Sequence, residues 1–317
     1  MSVFTTLTLE EVSVWLRDFA IGEIVKLKGI AAGITNTNYF VITAQQKYVL
    51  TIFEKHSADE LPYFVSLMAH LAKYGVPCPT PVEDKHGVAL HELKGKPALM
   101  VTCLNGEDVS TPNLAQVKQV ANTLAKMHLA GESFTQVGVN QRGQNWFDTT
   151  AKAVMPKLDA TDQKLLTSEL NYQQSLDVKH LPRGVVHGDL CRDNVLFDDD
   201  KLGGFIDFYY ACNDVLAYDV AIAINEWCLH HNGSDLGSID QEKTQAFLDA
   251  YQALRPFTAP EWALWQTMLR RAALRFWLSR LYDLYYPADG ELTHAKDPNH
   301  FKKLLQQYIR IVDDLSH

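Results

Sequence analysis

Residues 184–208 read Gly184-Val185-Val186-His187-Gly188-Asp189-Leu190-Cys191-Arg192-Asp193-Asn194-Val195-Leu196-Phe197-Asp198-Asp199-Asp200-Lys201-Leu202-Gly203-Gly204-Phe205-Ile206-Asp207-Phe208. The apolar, β-prone runs at 195–197 and 204–206 flank the turn-forming stretch 198–203, which predicts a hairpin. Pairing 197 with 204, 196 with 205 and 195 with 206 sets Asn194 opposite Asp207. Directly opposed residues lie about 4.5–5.5 Å apart, so an amide oxygen and a carboxylate converge. That suits a hard cation such as Mg²⁺, with water and phosphate oxygens completing its shell. Asp189, five residues before Asn194 on the same loop, is then free to accept a proton from a hydroxyl. Asp and Asn are ordinary turn formers, and His-Gly-Asp alone marks a turn as readily as a site. The reading rests on His187, Asp189, Asn194 and Asp207 occurring in that order around one hairpin.

The chain around this stretch has 317 residues, enough for two domains or for two lobes of one fold. Its 29 Lys+Arg against 38 Asp+Glu leave a net charge of -9, a field that disfavours nucleic acid and anionic membrane surfaces as partners. With 47% hydrophobic and 21% charged residues, the composition is that of a globular protein with a sizeable core. Cysteines stand at 78, 103, 191, 212 and 228 with no C-x-x-C pair, which argues against a disulfide framework and a structural zinc site. The amino terminus shows no basic leader, and no run approaches 18 apolar residues. A soluble, cytoplasmic protein is expected.

Thr8-Leu9-Glu10-Glu11 is a capping box opening a helix whose buried stripe is Val12, Trp15, Leu16 and Phe19. Short β-rich runs follow at 24–27, 38–43 and 47–53, then a helix over 59–74 stopped by Gly75 and the Pro77–Pro81 run, then strands near 88–92 and 98–104. Beyond Gly106 the periodicity is helical, at 113–131, 144–158, 161–177, 214–231, 239–254, 260–286 and 298–315. The fold class expected is α+β and bilobal, with a small β-rich lobe over 1–104 and a larger, mainly helical lobe over 105–317 that carries the loop and an acceptor pocket.

The spacing from Asp189 to Asn194 equals that of the kinase catalytic loop H-R-D-x-x-x-x-N, with Asp207 standing where a second metal-holding Asp follows. The pattern V-x-H-G-D-x-x-x-x-N followed by Ile206-Asp207-Phe208 resembles the aminoglycoside-phosphotransferase-like kinases, a protein-kinase-like superfamily acting on small alcohols. Four segments are similar to its bacterial homoserine kinase branch: 187–197, Ile206–Cys212, Asn225-Glu226-Trp227-Cys228 and Leu274–Leu281. The resemblance spans nearly the whole chain. It implies ATP and Mg²⁺ as cofactors, and transfer of a phosphoryl group to the hydroxyl of L-homoserine, a step that feeds threonine synthesis.

Further roles follow from the same resemblance. Gly33, with Asn36 and Thr37, stands in a phosphate-covering hairpin, and the segment through Thr102 and Leu104 is where adenine meets backbone amides. Thr51 occupies the strand position at which relatives keep a phosphate-gripping cation, and the acidic partner on the next helix falls at Phe64. Lys26, Lys47 and Lys55 are possible substitutes. Asp219 is expected to brace the loop together with His187, and His128 reads as a satisfied histidine between the lobes. Arginines on an apolar helix either pair with a buried acid, such as Asp283 or Glu226, or face a ligand, so Arg275 and Arg280 are candidates for an acceptor carboxylate. Asp193, Tyr209 and Glu226 are candidates for its ammonium group. Choline, a sugar amine, methylthioribose or an aminoglycoside remain alternative acceptors, and a nucleotide-binding pseudokinase is a third reading.

Overall fold

The computed structural model describes residues 4–30, 36–231, 236–287 and 296–315. The chain divides into two compact units, residues 1–105 with 203–206, and 106–202 with 207–317. The return of 203–206 to the first unit is absent from a single cut at 104. It is made by a backbone bond from Phe205 N to Pro77 O at 2.9 Å.

The first unit opens with α1 (Leu9–Trp15), where Glu11 N donates to Thr8 Oγ1 at 3.2 Å and Thr8 N to the Glu11 carboxylate at 2.9 Å. Five antiparallel strands follow: β1 (Ile24–Ile30), β2 (Thr37–Thr43), β3 (Lys47–Ile52), β4 (Leu90–Leu93) and β5 (Lys96–Thr102), in the order β1-β2-β3-β5-β4. Burial alternates along β2, as the two-residue period of a strand requires. Tyr39 and Val41 from β2, Tyr48, Leu50 and Ile52 from β3, and Ala98 and Met100 from β5 share one face and pack with Val12, Leu16 and Phe19. Between β3 and β4, α2 (Leu61–Lys73) buries Leu61, Phe64, Leu67, Met68 and Leu71.

The second unit is built on helices α3 (Leu114–Gly131), α4 (Gln144–Val154), α5 (Ala160–Gln174), α6 (Leu216–Trp227), α7 (Gln241–Gln252), α8 (Ala259–Ala263), α9 (Trp265–Tyr285) and α10 (Asn299–Leu315). Two short ribbons interrupt them. Strands β6 (Arg183–Val186) and β9 (Cys212–Val215) pair antiparallel, with Gly184 opposite Asp214 and Val186 opposite Cys212. Strands β7 (Val195–Asp198) and β8 (Lys201–Phe205) form the hairpin, of which residues 203–205 count with the first unit. It closes on two residues, Asp199 and Asp200, rather than on the wider 198–203 loop expected, because Asp199 takes the left-handed conformation (φ 52°) that Asp tolerates in tight turns, and a ladder closed there does not pair 197 with 204 or set Asn194 opposite Asp207 as expected.

The helix expected over 214–231 begins only at Leu216, because residues 212–215 are drawn into pairing with β6. Likewise the 260–286 helix is broken at Leu264 into α8 and α9. Every residue of α6 is buried, which is why its apolar content has no single stripe. Asn225 on it donates to Leu269 O at 3.0 Å and accepts from the Tyr308 hydroxyl at 2.8 Å, tying α6 to α9 and α10. Among the described residues no helix is long and apolar enough to cross a membrane.

Leu50 has no exposed surface in the middle of the sheet, whereas Val25 is 64% exposed. Leu50→Ala is expected to cost about 2–5 kcal/mol through lost contacts and the cavity left behind. Val25→Ala should stay within about 0.5 kcal/mol. Urea unfolding midpoints check the pair, and equal shifts would contradict the assigned sheet face.

Candidate active site

Strand β6 runs directly into His187-Gly188-Asp189. The turn there needs glycine, since Gly188 has φ +74° and a Cβ on it would stand 2.7 Å from the Tyr210 carbonyl oxygen. Asp219, fully buried on α6, accepts from His187 N at 2.8 Å with one carboxylate oxygen and from Gly188 N at 2.9 Å with the other. His128 Nε2 stands 3.0 Å from the first of these oxygens, and its Nδ1 is 2.7 Å from the Tyr251 hydroxyl. Burial by itself would raise the Asp219 carboxyl. The His128 hydrogen bond, the charges of His128 and His187 and the Gly188 amide outweigh it and hold the group below the ordinary carboxylate range. His128 was expected between lobes, but it and both its partners belong to the second unit.

These bonds present Asp189 on a fixed loop. Asn194 Nδ2 donates to the Asp189 carbonyl at 2.8 Å and lies 3.3 Å from its Oδ2, and Cys191 N donates to the same carbonyl at 2.7 Å. Arg275 Nη1 donates to Asp189 Oδ1 at 2.8 Å. Burial alone would discharge Arg275, but the Asp189 carboxylate holds its pKa above the usual value. Cys191 is buried beside them. Burial first, then the carboxylates of Asp189, Glu226 and Asp193, keep its thiol well above its ordinary range, which disfavours the thiolate.

Asp207 follows β8 in the left-handed conformation (φ 62°), uncommon for a residue with a side chain. It keeps an open face, yet the protein crowds around it. That crowding, with the neighbouring Asp189 and Asp193 carboxylates, raises its pKa to about 7 against the pull of the Tyr209 backbone amide. Neighbouring carboxylates of this kind favour a cation, while among the described residues no three His, Cys, Asp or Glu side chains gather into a metal-holding group of their own. The donors suit a hard one, since Asn194 spends its Nδ2 on Asp189 and, among the described residues, its Oδ1 has no protein donor.

Of the residues expected to meet an acceptor, Glu226 is buried between Arg192 Nε at 3.5 Å and Arg280 Nη2 at 3.4 Å, both longer than a close ion pair. Arg280 also donates to Asp297 O at 3.2 Å and lies 4.2 Å from the Phe301 ring. Asp193 accepts from Lys296 at 2.7 Å at the surface, and Tyr209 is half-buried in the turn after Asp207. Arg192 and Lys296 are cations that the residue pattern alone did not single out. Their contacts come from parts of the chain that meet only in the fold.

In the first unit, Gly33 lies outside the described residues. Asn36 Oδ1 is the acceptor for Glu54 N at 3.4 Å. Thr37 has no exposed surface, and its hydroxyl serves Phe4 N, Thr5 N and the Glu54 carboxylate, so it anchors the amino-terminal segment instead of facing a ligand. Thr51 donates to Asn38 Oδ1 at 2.7 Å. Thr102 Oγ1 accepts from Thr80 N at 2.9 Å, and the Leu104 carbonyl from the Cys103 thiol at 3.5 Å. Lys47 lies over the Phe40 ring at 4.7 Å, while Lys26 and Lys55 are exposed. A lysine that residue spacing missed, Lys96, pairs with Glu54 and donates to Thr5 Oγ1 at 2.9 Å.

Asp219→Asn replaces an acceptor by an amide donor facing backbone N–H groups. Hydrogen bonds to a charged group contribute about 1.5–3 kcal/mol each, so the variant should lose at least about 3 kcal/mol in the second unit, and turnover with it. Differential scanning calorimetry and steady-state rates measured together check this, and an unchanged melting profile would contradict the bracing role.

The sequence pattern of the phosphotransferase enzyme family matches residues 26–261. A homoserine kinase of Methylobacillus flagellatus is 52% identical over 309 residues, covering 98% of this chain and 96% of the relative. The homoserine kinase of Methylobacillus glycogenes is 50% identical, with 99% and 98% covered. Among solved structures, amicoumacin kinase hAmiN in complex with AMP-PNP, Ca²⁺ and Ami is similar at a TM-score of 0.72 and 14% identity, over 94% of this chain and 93% of that one. Spectinomycin phosphotransferase APH(9)-Ia, in complex with ADP and spectinomycin, gives 0.69 at 12% identity, over 96% and 98%. These two likenesses carry the kinase-like fold, and the first two relatives carry the kinship in sequence. The chain belongs to the phosphotransferase enzyme family and is an ATP-dependent kinase.

Proposed function

We propose that the enzyme transfers the γ-phosphoryl group of ATP to the side-chain hydroxyl of L-homoserine, giving O-phospho-L-homoserine and ADP. The observation that carries this reading is a carboxylate, Asp189, held on a braced loop with one oxygen on Arg275 and the other only loosely met by Asn194 at 3.3 Å. Near full-length likeness to homoserine kinases supports the choice of acceptor.

The loosely met Oδ2 of Asp189 orients the acceptor hydroxyl and takes its proton as the oxygen attacks the γ-phosphorus in line with the departing ADP. Asn194 Oδ1 and the Asp207 carboxylate would hold Mg²⁺, which draws charge from the phosphate oxygens when bound. Glu226, buried between two guanidiniums at long distance, suits the ammonium group of an amino acid, with Asp193 and Tyr209 as further candidates. Adenine would take backbone amides near Thr102 and Leu104. Asn36 and Thr51 remain proposed nucleotide contacts of the first unit, each with its side chain already bonded within the sheet region.

Initial rates of ADP release with L-homoserine, choline, methylthioribose and an aminoglycoside test the reading directly. Homoserine should exceed each of the others in kcat/KM, and equal or greater turnover of another alcohol would overturn it. Asp189→Asn should lower kcat by about 10²–10⁴-fold, the usual share of positioned proton transfer, with ATP affinity little changed by calorimetric titration. Asp207→Asn should abolish turnover and weaken Mn²⁺ binding in the presence of ATP, as read by electron paramagnetic resonance. An active Asp207→Asn enzyme would remove this residue from the metal site.

A further inference from the structure

Arg275 lies on α9 with 3% of its surface exposed. Its Nη1 is on Asp189 Oδ1 at 2.8 Å, and its guanidinium carbon lies 3.9 Å from the Phe276 ring centre and 5.5 Å from that of Tyr210. Its Nε is buried and, among the described residues, has no acceptor. The same helix supplies a control. Five residues earlier, Arg270 is also buried, and its Nε lies 3.3 and 3.2 Å from the two carboxylate oxygens of Glu169. The Nε edge of a guanidinium is a planar two-donor fork that fits a carboxylate. In Arg270 an internal carboxylate fills that fork. In Arg275 the matching donor is left unmet beside the catalytic loop, and a buried unmet donor is costly to keep. An arriving oxyanion removes that cost.

We propose that Arg275 is a shared guanidinium, which keeps Nη1 on Asp189 and receives the α-carboxylate of the acceptor on its Nε edge. The proposal rests on the amino-acid reading above and deepens it. One side chain then sets the distance between the acceptor carboxylate and the base, so the site measures the length of the acceptor. L-homoserine spans that distance with its terminal hydroxyl. L-serine, one methylene shorter, cannot meet Arg275 and Asp189 together, and a misplacement of about 1 Å costs about 10²-fold in rate. Arg280, already on Glu226 and the Asp297 carbonyl, is left to hold the ammonium end in shape.

The experiment measures kcat and KM for L-homoserine, L-serine and L-homoserinol, which lacks the carboxylate, on the full chain and on its Arg275→Lys and Arg275→Met variants. Calorimetric titration with ATP confirms that each variant is folded. The parent enzyme should favour homoserine over homoserinol and over serine by at least about 10²-fold in kcat/KM. Arg275→Lys keeps a cation for Asp189 but loses the fork. It should hold kcat on homoserinol within about tenfold while the preference for homoserine falls at least tenfold. Arg275→Met should lose rate on both and the preference as well. If both variants slow homoserine and homoserinol by one common factor, Arg275 serves only Asp189 and the proposal is overturned. A parent enzyme that turns over homoserine and homoserinol equally overturns it too. If the parent releases no ADP with homoserine at all, the homoserine reading itself fails, an outcome distinct from the other two.

Discussion

The loop that carries Asp189 depends on one buried carboxylate. Asp219 has no contact with solvent, and it accepts the amides of two successive loop residues, His187 and Gly188, at 2.8 and 2.9 Å. A charge so placed is tolerated only while every donor around it stays in position. The turn into Asp189 is therefore fixed from below by α6. His128 extends the same network to Tyr251, whose hydroxyl also lies 3.3 Å from Arg255 Nη1, and Arg255 pairs with Glu261 at 2.9 Å. The loop is thus braced by α3, α6 and α7 before any ligand arrives, which is the preorganisation that positioning chemistry needs.

The arginines of α9 show how one helix divides its charges. Arg270 closes on Glu169 and stacks 3.7 Å over Tyr172, so it holds α5 against α9. Arg275 goes to Asp189 and Arg280 to Glu226. Arg271 faces Phe147 and Tyr218 at 5.2 and 5.7 Å. All four come from one apolar segment, and the three acids met by Arg270, Arg275 and Arg280 come from three other parts of the chain. The roles of these three follow from which acid each guanidinium meets, since a buried cation without a partner would be expelled or discharged.

That a hairpin stands at 195–205 was legible in the chain because it is local, although its turn is narrower than the one expected. His187, Asp189, Asn194 and Asp207 sit within 21 consecutive positions, and the hairpin that joins the last two is set by apolar runs and Asp-rich turn residues. The capping box at Thr8 was legible for the same reason. Strand β9 was not, because Cys212–Val215 is extended only through pairing with β6, some 30 residues away. The break at Leu264 was hidden too, since periodicity runs through it unaltered. Thr37 shows the limit from the other side. The family resemblance implied a ligand contact there, and the fold spends its hydroxyl on Phe4, Thr5 and Glu54.

By itself the sequence determined the order and spacing of the candidate site residues, the β-rich and helical halves, and the residues buried by period, because these depend on neighbours within a few positions along the chain. Only the tertiary structure decided the partners of the buried charges. Asp189 with Arg275 are 86 positions apart, His128 with Asp219 91 and Glu169 with Arg270 101. Each of these side chains could have met several acids or bases of suitable type. Packing selects one, because in a dry interior a charge is stable only against the partner that the helices bring within hydrogen-bond reach.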